Sequence, residues 1–177
     1  MTALLRTHRL YILFLVCYFL CTTFFLFAFL PDWGNDDPYI TYRYAENLYA
    51  GRGFVYNVDE RILSTTSPLF ALILAGARML TANLPRVANL IGAASLAAGA
   101  LFLWDIARQW QEPRAGWVAL ALYPTFELLV RTLGSETPLY LALCLAAFAF
   151  YLRQKYTLTA LLLAFAFLTR GDAAVLG

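Results

Sequence analysis

The sequence predicts an all-α integral membrane protein, a multi-helix transmembrane bundle with a long first external loop carrying amphipathic helices. Three observations lead there. Residues 10–30 hold no charged side chain, and a helix of about 20 apolar residues crosses a hydrocarbon core about 30 Å thick. Hydrophobic residues make up 62% of the chain and charged ones 14%, which excludes most soluble enzyme classes. Further apolar runs recur at 67–84, 87–107, 117–131, 139–152 and from 156 onward.

Taken in order, the run 10–30 reads as an uncleaved first span. A cleaved leader has an apolar core of only about 7 to 15 residues, and Ala28-Phe29-Leu30-Pro31 lacks the pattern of small residues at a cleavage site. Residues 31–86 then form the external loop, and its part from 31 to 66 holds six of the eleven acidic residues. Within it, 38–50 is expected to be a surface helix: Pro38 suits a first helical position, Gly51 a stop, and Ile40, Tyr44 and Leu48 share one face. Arg43 and Glu46 are placed to pair at its edge.

The segment 67–84 decides the topology. With Arg6 and Arg9 holding the N-terminus in the cytoplasm, a crossing at 67–84 would put Arg108, Arg114, Arg153 and Lys155 outside. If 67–84 stays on the outer side as a surface-lying or re-entrant helix, all four fall inside. Arg78 is costly near a bilayer centre, and Ser67, Ala71, Ala75, Arg78 and Ala82 form a small or polar stripe at helical spacing, so the second arrangement is expected. The other reading is an ordinary span whose Arg78 snorkels. Spans at 87–107, 117–131 and 139–152 follow, with a further one starting in 156–177. The whole reads as a single transmembrane domain of a multi-pass protein in a plasma or inner membrane, its N-terminus cytoplasmic.

A net charge of +2 and the lack of a basic run argue against nucleic acid as a partner; the partner indicated is membrane lipid. Cys17, Cys21 and Cys144 lie in apolar runs, where a thiol behaves as a small hydrophobe, and their spacing suggests no metal site.

Chemistry is sought in the loop. Asp36 and Asp37 stand at the mouth of the helix starting at Pro38, where adjacent carboxylates can raise one another's pKa or receive a cation. Either property suits a general base acting on a hydroxyl. The same residues are also an ordinary capping arrangement, with Asp37 as N-cap accepting backbone N–H bonds. A second polar island, 131–138, lies between apolar runs and faces the same side, so Glu136 is expected to converge with Asp36 and Asp37, although it too can simply begin a helix. Glu127 and Arg131 are spaced for an i,i+4 pair, Asp105 and Arg108 for an i,i+3 pair, and Arg170 and Asp172 end the last apolar run.

These motifs resemble, over nearly the whole chain, the polytopic glycosyltransferases that use polyprenyl-phosphate-linked sugars, the group of protein mannosyltransferases, aminoarabinose transferases and arabinofuranosyltransferases. Asp36-Asp37, then Tyr42-Arg43-Tyr44-Ala45, Asn47-Leu48, Gly51-Arg52-Gly53 and Tyr56-Asn57, look like the family's first external loop. Thr66-Ser67-Pro68-Leu69 looks like the start of its next helix, and Gly134-Ser135-Glu136-Thr137-Pro138-Leu139 resembles its second acidic loop. Leu168-Thr169-Arg170-Gly171-Asp172 resembles a further stretch in which Gly171 replaces the usual Pro.

The resemblance implies inverting transfer of a hexose or pentose from a polyprenyl-phosphate donor to a glycan, lipid or protein acceptor on the non-cytoplasmic side. Asp36 would be the base with Asp37 supporting it, and Arg43, Tyr44, Asn57 and Glu136 would bind substrate. A divalent cation, if used, would sit on Asp37 and Glu136. Members of this group are usually longer, so the chain is expected to be an N-terminal portion. Two other readings stay open: a transporter or channel subunit using Glu127, Arg131 and Arg170, and a noncatalytic membrane scaffold.

Overall fold

A computed structural model describes residues 2–29, 36–58, 60 and 65–176. Residues 31–35, 59 and 61–64 of the expected external loop lie outside the described residues, as does the end of the expected first span at residue 30. The described residues are helical, with no strand among them: α1 Thr2–Phe29, α2 Pro38–Tyr49, α3 Pro68–Ala77, α4 Leu84–Gln109, α5 Pro113–Leu122, α6 Glu127–Val130, α7 Thr137–Leu152 and α8 Tyr156–Thr169. Short 3₁₀ turns follow α5 at Tyr123–Thr125 and α8 at Gly171–Leu176. Two helices are long and apolar enough to cross a membrane, Arg9–Phe29 and Leu84–Gln109.

The bundle is organised on α4. Asn83 caps it, its side-chain oxygen accepting from the Arg86 N–H at 3.0 Å, and Pro85 fits the first turn, where the missing N–H costs nothing. Its buried residues are mostly small, among them Ala88, Gly92, Ala93, Ser95, Ala97, Gly99 and Ala100, so neighbouring helices approach its backbone closely. A Cβ on Gly99 would stand 2.7 Å from the Tyr123 ring, and one on Gly92 would stand 2.9 Å from the Leu133 side chain.

α1 runs antiparallel to α4. Leu26 packs with Ala93 and Leu96, while near the other end Tyr11 and Phe14 pack against Trp104. Arg86 lies over the Phe27 ring at 5.4 Å, and Arg108 lies over the Tyr11 ring at 5.0 Å. α2 and α3 pack on the end of α4 where α1 stops: Tyr42, Ala45, Phe70, Leu74, Leu84 and Ala88 form one cluster. α3 has ten residues, about 15 Å of helix, half of a hydrocarbon core about 30 Å thick. The helix expected over 67–84 therefore ends at Ala77, and residues 78–83 form the turn into α4.

Two local pairings differ from the sequence expectation. Glu46 pairs with Arg78 of the α3–α4 turn at 2.8 Å, and Arg43 instead donates to the Tyr56 carbonyl at 3.4 Å. Asp105 is held by Arg153 at the end of α7 and by Gln109 at 2.9 Å, while Arg108 lies against Tyr11 and Trp104. Spacing along one helix does not reveal partners that folding brings from another.

The expected continuous helix over 117–131 is broken. Pro124 has no N–H for the carbonyl of Leu120, and Phe126 is extended (φ −67°, ψ 116°), so the chain passes from α5 through a 3₁₀ turn to the single turn of α6. The carbonyl left over by Pro124 is satisfied from another helix: the Tyr18 hydroxyl on α1 donates to Leu120 O at 2.7 Å. Thr125 donates its own hydroxyl to Ala121 O at 2.9 Å.

This substitution of a tertiary for a secondary hydrogen bond yields a test. Tyr18→Phe should destabilise the bundle by about 1–2 kcal/mol, since it strands a part-buried carbonyl. Pro124→Ala supplies an N–H to that carbonyl and should make the loss of the Tyr18 hydroxyl cheaper. The two changes should therefore couple in a double-mutant cycle read from thermal denaturation in detergent, whereas strictly additive effects would show that the Tyr18 bond does not replace the helical one.

Candidate functional site

A cavity of about 440 Å³ opens where four segments meet. The start of α2 contributes Asp37, Pro38, Ile40 and Thr41, and the approach to α3 contributes Thr65, Thr66 and Ser67. The approach to α7 contributes Thr132, Ser135, Glu136 and Thr137, and the end of α8 contributes Arg170. Two carboxylates, one guanidinium and a ring of hydroxyls thus face one space.

The first wall begins with a helical turn that starts before Pro38. Tyr39 N–H donates to Asp36 O and Ile40 N–H to Asp37 O, both at 3.1 Å. Asp37 has helical angles (φ −54°, ψ −43°) and its side chain makes no capping bond, which corrects the expectation that it caps α2 with its carboxylate. Its backbone closes the turn instead, so the carboxylate is not drawn back onto the helix. Asp36 is exposed and lies outside the cavity lining. One turn on, Thr41 is buried against Ser67, with hydroxyls 3.0 Å apart, and Thr65 joins them, its Oγ1 accepting from Ser67 N–H at 3.3 Å. This cluster fixes the approach to α3 beside α2.

The second wall depends on Gly134, whose φ of +89° belongs to the left-handed region where a side chain is strained. A Cβ there would also stand 3.1 Å from Asn89 Oδ1 and 3.2 Å from the Tyr42 hydroxyl. The close approach lets the Tyr42 hydroxyl donate to Gly134 O at 2.6 Å, tying α2 to the loop that carries Glu136. Ser135 holds the loop's turn, donating to Thr132 O at 2.8 Å, and Pro138 sits in the first turn of α7.

Arg170 closes the ring. It follows α8 in an extended conformation (φ −153°, ψ 130°), and Thr169 before it is fully buried, donating to Phe165 O at 2.8 Å. The guanidinium reaches Glu136 and Thr137 at 3.4 Å and Asp172 at 3.0 Å. Glu136 is the more enclosed partner, its side chain 14% exposed against 67% for Asp172. A multidentate cation held among carboxylates beside an open cavity can release part of its bonding to an incoming anion.

Of the residues expected to form a site, Asp37 and Glu136 are brought together and Arg43, Tyr44 and Asn57 are not. Tyr44 is fully buried among Phe54 and Tyr56, where it folds the loop after α2. Arg43 binds that loop's backbone, and Asn57 donates to Glu60 at 2.9 Å. Glu127 and Arg131 form their expected i,i+4 pair, with Nε at 3.1 Å from Oε1, on an exposed turn outside the cavity. Arg170 was expected only as a charge for the transporter reading, and the Thr41, Thr65 and Ser67 hydroxyls were not among the expected site residues. Among the described residues, no three or more His, Cys, Asp or Glu side chains are gathered where they could hold a metal ion together.

Comparison with protein-family models, curated proteins and solved structures finds no match to this chain.

Tyr42→Phe should leave the Gly134 carbonyl without its donor and lower stability by about 1–3 kcal/mol, measured by thermal denaturation in detergent. Because the bond joins the walls carrying Asp37 and Glu136, cysteines placed at these two positions, in a chain freed of native thiols, should cross-link less efficiently in the Tyr42→Phe background. Unchanged stability and cross-linking would show that the walls are held together elsewhere.

Proposed function

We propose that this chain belongs to a multi-pass membrane glycosyltransferase that moves a sugar from a polyprenyl-phosphate donor to an acceptor hydroxyl with inversion. The observation that carries the reading is the meeting of Asp37, Glu136 and Arg170 at one cavity, on the end of the bundle where α1 stops. Membrane placement draws support from apolar side chains exposed along α1, α5 and α8, including Leu20 at 59%, Phe24 at 65%, Leu122 at 62% and Phe167 at 52%. Exposure on that scale suits hydrocarbon, not water. Basic residues of the opposite end, Arg108, Arg153 and Lys155, fit a cytoplasmic assignment there, with the cavity on the other side.

In this reading Asp37 takes the proton of the acceptor hydroxyl as its oxygen attacks the anomeric carbon from the face opposite the phosphate. The bond from that carbon to the phosphate oxygen breaks, its electron pair leaves with the lipid phosphate, and the configuration inverts. Asp37 is preferred to its neighbour Asp36 as base because it is the one that lines the cavity. Glu136 orients Arg170, whose charge offsets that of the phosphate, and the hydroxyls of Thr66 and Thr137 offer hydrogen bonds to a sugar. A divalent cation would take Asp37 and Glu136 as two of its oxygen ligands and draw the others from substrate and water.

The test follows radiolabelled sugar leaving a polyprenyl-phosphate donor in membranes from cells carrying each variant. Asp37→Asn should slow transfer by about 10² to 10⁴ while insertion stays intact, since the amide keeps the shape but cannot accept the proton. Asp36→Asn should cost less. Equal and complete loss at both positions, partly rescued by added divalent ions, would move the pair from base to cation ligands. Full turnover by Asp37→Asn at matched expression would overturn the assignment.

A further inference from the structure

α3 is apolar on both sides. Phe70, Ala71, Leu74 and Ala75 are buried against α2 and α4, yet Leu72 is 53%, Ile73 37%, Met79 76% and Leu80 91% exposed. With Gly76 between them, these residues make one outward stripe that runs off the helix into the α3–α4 turn. The charged residue at the end of α3, Arg78, is drawn to the inner side, where Glu46 holds it and its guanidinium lies 5.0 Å over the Tyr49 ring.

We propose that this stripe is a membrane-insertion surface: α3 and the turn after it dip into the acyl layer of the leaflet beside the cavity, with the lipid bilayer as partner. Three observations favour lipid over a protein partner. First, the N–H groups at the start of the turn are paired within the chain, which suits hydrocarbon: Met79 N–H donates to Gly76 O at 3.2 Å, and Leu80 and Thr81 N–H donate to Ala77 O at 2.9 and 3.2 Å. Second, the surface lies at the height of other exposed apolar side chains: α3 packs on the start of α4, level with the last turns of α1, and adjoins α8, where Phe165, Phe167 and Leu168 are 40%, 52% and 44% exposed. Third, Arg86 at the start of α4 lies over Phe27 with its residue exposed, the posture of a cation at a headgroup boundary. A ten-residue helix cannot cross, so it lies in one leaflet and anchors the wall that carries Ser67. The inference needs the chain to be in a membrane and does not need the cavity to transfer a sugar.

Spin labels give the test. In a full chain with Cys17, Cys21 and Cys144 replaced by alanine, Leu80→Cys, Ile73→Cys and, as reference, Ala50→Cys are labelled separately. Each is reconstituted in vesicles of phosphatidylethanolamine and phosphatidylglycerol. Labels at Leu80 and Ile73 should collide with oxygen, which concentrates in the acyl layer, more than with a water-soluble nickel chelate, and the label at Ala50 should show the reverse order. Circular dichroism matched to the parent chain shows that each variant is folded, and Ile73→Cys keeps the test alive if Leu80→Cys is not. Nickel collisions at Leu80 and Ile73 equal to those at Ala50 would overturn the proposal. Immobilised labels reached by neither reagent would overturn it too, in favour of a protein contact.

Discussion

The small face of α4 is the constraint on which the rest depends. Ala88, Gly92, Ala93, Ala97, Gly99 and Ala100 let α1, α5 and α7 close on one axis without bulky side chains between the backbones. The larger groups come mostly from the neighbours, Leu26 and Leu133 at one level and Tyr123 across from Gly99, while toward the far end Trp104 of α4 itself packs with Tyr11 and Phe14. Because α4 begins where α1 stops, α2 and α3 are confined to that end, and the approach to α7 is delivered to them by Gly134. The charged lining of the cavity is thus brought together by the packing of small and apolar residues.

Much of this was legible in the sequence where a single property decides the outcome. The charge-free run gave α1, and Pro38 and Gly51 bracket α2, whose following Gly51 takes φ +73°. The end of α3 was hidden because Met79 and Leu80 continue the hydropathy through a turn. The break at Pro124 was passed over since its neighbours are all apolar, although proline in a helix interior is a strong local signal. Glu46 and Asp105 took partners from other helices, which no spacing rule could supply.

The site shows the same division. Asp37 and Glu136 stand out as acids shortly before prolines that begin helices, and both line the cavity, while Asp36, the base that the resemblance implies, does not. Arg170 was visible as a charge ending a run, but its place beside Glu136 requires the α7–α8 hairpin to bring residues 34 apart in sequence together. Tyr44, a substrate-binding residue only by the resemblance, is fully buried in the core of the loop after α2, in keeping with the apolar face it shares with Ile40 and Leu48.

The bond from Tyr18 to Leu120 has a consequence for how the chain is assembled. In the membrane setting proposed above, no water would be at hand for a bare carbonyl, and the Tyr18 hydroxyl is the donor that meets Leu120 O. Yet the partners lie 102 residues apart, so α1 is complete long before α5 is made. Leu120 O finds no donor on its own helix at the position where Pro124 stands, because proline brings no N–H. Docking on α1 meets that carbonyl and fixes how far along α1 the later helix comes to rest.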